Sequence, residues 1–110
     1  MPEKIKVETS SGNVFADIGV AEPDLALAKA ELASQIDRVI RARRLKQVQV
    51  AEILGVDQGK VSALVRGRLA GFSTERLFRF LNALGRDVKI VVTETPRSRK
   101  RSRLTVVTSS

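Results

Sequence analysis

Between Leu45 and Gly67 the chain carries two short helix-forming runs joined through Gly55, and that spacing constrains the fold more than any other feature. The first run, 47–54, stops at Gly55, where a turn that needs positive φ is relieved by the missing Cβ. Ala51 is small where two helices must cross closely, and Val56 plugs the corner between them. In the second run, 58–66, a wheel of about 100° per residue gathers Val61, Leu64 and Val65 on a core-facing side. Gly59, Ser62, Ala63 and Arg66 fall opposite, with Lys60 at the flank and Gln58 at the helix start. Such an outward face, small or long and polar, can enter a major groove about 12 Å wide without clashing.

The flanking sequence supplies a frame for this pair. Pro23 suits a first helical turn, with Glu22 and Asp24 at the positive end of the helix dipole. Leu25, Ala28, Leu32, Ile36, Val39 and Ile40 recur at three- and four-residue spacing up to Arg43, which predicts an amphipathic helix of about 20 residues. That is long for a helix that only supports a reader, so its first half is a candidate for dimerisation or partner binding. Ser73 can cap a fourth helix with Glu75 in its first turn, and Gly85 can end it. Leu77, Phe78, Phe80, Leu81 and Leu84 make that helix largely buried. Alternation predicts short strands at 3–8 and 87–93, the latter with Val88, Ile90 and Val92 on one face, and 13–18 reads as a further short extended segment.

Charge is unevenly spread over the 110 residues, whose formal total is +8. Residues 1–36 are net −3, residues 37–93 net +7, and residues 94–110 net +4. A basic second half is the footprint of a polyanion binder, although charge alone does not separate DNA, RNA and anionic lipid. The tail from Pro96 interleaves Arg97, Arg99, Lys100, Arg101 and Arg103 with Ser, which predicts a flexible arm at 95–110. It can serve equally as a backbone-tracking arm or as a solubilising or partner-ordered tail. The chain has no Cys and no His. Disulfides, a thiol nucleophile and the usual soft metal sites are thus excluded, and no cofactor is expected. No nucleophile–base pair or phosphate loop stands out, so an enzyme is not expected. No apolar run approaches the roughly 20 residues that span a bilayer, and the first residues lack the apolar core of a signal peptide. A cytoplasmic protein without membrane contact is the expectation.

The pattern L-x-Q-x-x-x-A-x-x-x-G-V-x-Q-x-x-V-S-x-x-x-x-G, read from Leu45 to Gly67, resembles the Cro/CI-type (Xre) helix-turn-helix. The resemblance implies a mainly α, lambda-repressor-like domain, here expected at 23–86. An N-terminal arm at 1–22 and a strand at 87–94 that could join a dimer sheet would flank it. It also implies that Gln47 holds a DNA phosphate and that Gln58 contacts bases. Where the family often places a polar reader this chain has Gly59, which shifts weight to Lys60, Ser62 and the T-methyl-sized gap beside Ala63. Lys46 replaces the usual Thr or Ser before Gln47, losing a cap and adding a phosphate-seeking charge. The expected base-reading set is therefore Gln58, Gly59, Lys60, Ser62 and Arg66. The expected phosphate set is Gln47, Lys46, Arg43, Arg44 and Arg68.

A wider resemblance covers about residues 12–92. Gly12–Asp17, the long first helix, Gly67-Arg68-Leu69 with Gly71-Phe72-Ser73, and Leu77–Val88 look like HigA-type antitoxins and close Xre regulators. It implies a homodimeric autorepressor on a palindromic duplex operator that also neutralises a RelE/HigB-like toxin. A stand-alone regulator with no toxin partner shares the same frame.

Overall fold

The computed structural model describes residues 22–108. Among these residues four helices follow one another: α1 (Glu22–Ala42), α2 (Gln47–Leu54), α3 (Gln58–Val65) and α4 (Thr74–Ala83). The buried stripe of α1 is Leu25, Ala28, Leu32, Ala33, Ile36, Val39 and Ile40, the three- and four-residue spacing of one helix face. From Leu32 onward this stripe joins one core with Val50 and Ala51 of α2, Val61 and Leu64 of α3, and Leu77, Phe80 and Leu81 of α4. Phe72, in the loop before α4, completes it and meets Phe80 edge to face, with ring centroids 6.0 Å apart. α1 packs chiefly on α4 and α2 chiefly on α3, so the helical pair 47–65 is carried on a platform of the two outer helices. Each fully buried Leu or Ile contributes about 1.5–3 kcal/mol to holding that platform together.

All four helices stop by the same device. At each end a residue with positive φ turns the chain, and the next backbone N–H reaches back five residues. Val56 N–H donates to Ala51 O at 3.0 Å, Arg68 N–H to Ala63 O at 2.9 Å and Arg86 N–H to Leu81 O at 2.9 Å. The turning residues there are Gly55, Gly67 and Gly85, for which positive φ carries no Cβ clash. After α1 the same geometry is complete, with Leu45 N–H on Ile40 O at 3.0 Å and Arg44 N–H on Arg41 O at 3.1 Å. The turning residue there is Arg44, at φ 52°.

The strand expected at 87–93 is not present: no strand occurs among the described residues. The apolar alternation at 88, 90 and 92 exists, but only Val88 packs on the core. Ile90 and Val92 stay exposed, at 40% and 53%, and no ladder of hydrogen bonds forms on this segment among the described residues. The expected strand at 3–8 and the extended segment at 13–18 lie outside the described residues. Past Pro96 the chain turns, with Arg99 N–H on Pro96 O at 3.0 Å, and runs back against the start of α1. There Leu104 N–H donates to Asp24 Oδ2 at 3.5 Å and Arg101 lies 3.6 Å from the same carboxylate. Val106 is half-buried against the core.

Candidate nucleic-acid interface

Both helices of the pair begin with a glutamine, and each start is organised by its neighbours. At α2 the N-cap is Lys46, whose ammonium has no lone pair to offer. Gln49 supplies half a capping box instead, its Oε1 accepting the Lys46 N–H at 2.8 Å. The Lys46 side chain is thereby left to solvent, and Gln47 follows it, exposed in the first turn. At α3 the N-cap is Asp57, which accepts the Lys60 N–H at 2.8 Å and leaves Gln58 exposed in the first turn. A Cβ at Gly59 would meet Asp57 Oδ1 at 3.2 Å, so a side chain there would need the capping carboxylate to give by a few tenths of an ångström.

The remaining candidates divide by exposure. Arg66 closes α3 and Arg68 follows Gly67, both open to solvent. Ser62 is only half-buried, and Ala63 packs against the core edge, so the wheel's outward face narrows in its middle. Arg43 leans away from the reader, its Nη1 donating to Leu84 O at the end of α4 at 3.4 Å. Lys60 folds sideways, its Nζ 5.7 Å from the centre of the Phe72 ring. Arg76, in the first turn of α4, shares that ring at 5.5 Å and lies 5.6 Å from Phe80. Sequence reasoning missed Arg76. The only signal was a lone basic residue after a cap, which reads as solvated until Phe72 is seen beside it.

Charge over 43–68 is one-sided. Six Lys or Arg, all exposed, face only Glu52 and Asp57, and Asp57 is engaged in capping. The ion pairs among the described residues, Asp37–Arg41 and Asp24–Arg101, lie elsewhere. A helix pair of this shape, with capped, open helix starts inside a basic surface, is built to meet a polyanion.

Residues 14–93 match a family model described as a helix-turn-helix domain. A solved structure described as an XRE family transcriptional regulator superposes with a TM-score of 0.77. It is 44% identical, and the match covers 81% of this chain and 100% of that one. The chain belongs to the XRE family of helix-turn-helix regulators. No curated protein matches it. As an XRE-family member it is a DNA-binding transcriptional regulator with a mainly helical reader. No helix among the described residues is long and apolar enough to cross a membrane.

Proposed function

We propose that this XRE-family regulator represses transcription by binding a two-fold operator as a homodimer, with the start of α3 in the major groove. The observation that carries the reading is the open first turn of α3, where Asp57 fixes the helix start and leaves Gln58 free at its edge. Gln58 reads bases, with Gly59 allowing close approach and Ser62 and Arg66 bordering it. Gln47, Lys46, Arg44 and Arg68 hold phosphates around that entry, and Arg43 joins them only by releasing Leu84 O. One such helix covers about one half-site, and two-fold sites place half-sites roughly 34–36 Å apart, so a dimer is required. Footprinting on the DNA upstream of the chain's own gene tests the reading. Two protected half-sites one turn apart are expected; no protection, or a particle that stays monomeric on DNA by light scattering, contradicts it.

The finer reading is an antitoxin that also neutralises a RelE/HigB-like toxin. Its support is the first half of α1, which extends past the main core cluster. Leu27 is 68% exposed there, and Leu25, Ala26 and Ala30 border a shallow groove with Leu69 and Ala70. Co-expression with the product of a neighbouring short gene decides it. Rescue from toxicity and co-purification are expected, and equal lethality with and without this chain would sink the antitoxin role while leaving the regulator intact.

A further inference from the structure

Lys60 and Arg76 come from different helices and meet on one aromatic ring. Phe72 is 3% exposed and wedged edge-on against Phe80, so its ring is held in place. Lys60 Nζ lies 5.7 Å and Arg76 Cζ 5.5 Å from its centre. Ring quadrupoles attract each cation, but the two charges repel one another. Neither has a carboxylate partner among the described residues, since both ion pairs there involve other groups. Arg76 is further fixed because Phe80 lies 5.6 Å from its guanidinium, and its own backbone N–H is tied to Ser73 Oγ at 3.2 Å. Its side-chain N–H donors make no hydrogen bond with any described residue. A planar, half-buried guanidinium with open donors, set beside a second uncompensated cation, is preorganised for an anion with several oxygens.

We propose that Lys60, Phe72 and Arg76 form one phosphate-gripping unit at the corner between α3 and α4. Lys60 and Arg76 bind backbone phosphate of the duplex whose bases Gln58 reads, and Phe72 is the positioning residue that aims them. This rests on the duplex-reading function proposed above, and it moves Lys60 from base reader to phosphate holder. The unit lies next to the reading end because Lys60 is two residues from Gln58 in the first turn of α3. It therefore fixes how far that turn slides along the groove without itself distinguishing sequences.

The test uses the full chain on its footprinted operator and on an unrelated duplex of equal length, over a range of salt. Lys60→Met and Arg76→Met should each weaken both duplexes by the same factor, about threefold to tenfold, and the two together should lower the log–log salt slope by about 0.9. Placed together they should cost less than the product of the two, because they share one phosphate site. In a Phe72→Leu background Lys60→Met should lose most of its effect. Because Phe72→Leu can fail to fold, the Lys60 ε-CH2 shift in the free wild-type protein is a second readout. An upfield ring-current shift is expected, and a random-coil value overturns the stack whether or not DNA binds. A Lys60→Met loss confined to the operator would make Lys60 a base reader and overturn the assignment. Unchanged affinity with lowered thermal stability would make the stack purely structural. Wild-type protein that bound no duplex would remove the DNA-reading function itself, and the phosphate unit with it.

Discussion

The chain makes two sharp turns on its way through the reader, and their backbones are alike. Before α2, Arg44 takes φ 52° and Leu45 N–H returns to Ile40 O. Before α3, Gly55 takes φ 70° and Val56 N–H returns to Ala51 O. In both, the residue after the turn packs on the core, Leu45 in one and Val56 in the other. The chemistry at the turning position is opposite. Glycine accepts left-handed φ freely, whereas an arginine there costs roughly 1 kcal/mol. The inner turn is chosen for stability. The outer one gives up some stability and gains an exposed cation beside Arg43 and Lys46, immediately before a helix whose start faces solvent. A strained residue in a place where glycine serves three times elsewhere points to a demand other than folding, and the phosphate contact proposed for Arg44 is such a demand.

Exchanging the two chemistries gives the largest expected effect. Gly55→Arg should destabilise the fold by about 1–2 kcal/mol in denaturant unfolding, since it puts the same strain inside the reader. A loss near zero would show that the turn tolerates side chains and that Arg44 is not strained. Asp57→Ala removes the cap that follows the inner turn and should cost about 1 kcal/mol, with a frayed α3 start visible as faster amide exchange at Lys60. Arg44→Gly should run the other way, stabilising by about 0.5–1 kcal/mol while lowering the salt slope of DNA binding by about 0.9. A variant both more stable and equally tight on DNA would break the comparison. The smallest effect is expected at Arg41, whose bond to Asp37 at 2.8 Å is an exposed pair one helical turn apart. Arg41→Ala should change stability by about 0.5 kcal/mol or less.

Local signals made most of the fold legible. The helix pair expected at 47–54 and 58–66 is found at 47–54 and 58–65, because a 3.6-residue stripe runs through the second helix and a glycine, Gly55 or Gly67, follows each. The long helix expected from Pro23 to about Arg43 spans 22–42, and Ser73 and Gly85 bracket α4 as expected. The strand at 87–93 failed because alternation shows which side chains share a face and says nothing of whether an edge is available to pair with. The exposure of a candidate side chain was legible where its own helix sets it, as at Gln58. It was not legible where contact crosses a loop. Lys60 looked like a flank residue of α3, and only the fold brings it to Phe72 and Arg76. Asp24 looked like an acidic residue serving the helix dipole at the start of α1, yet it also meets the returning tail at Leu104, eighty residues away. The reversed direction of Arg43, toward Leu84 O, was hidden for the same reason.

The central claim is that the first turn of α3 reads base edges through Gln58. Its most direct test is the affinity of Gln58→Ala for the footprinted operator and for single-base variants of it, at one fixed salt concentration. The account predicts a loss of about 1–3 kcal/mol on the operator, an unchanged salt slope, and relaxed preference at one base pair in each half-site. An undiminished preference at every position would contradict it and place the reading surface elsewhere.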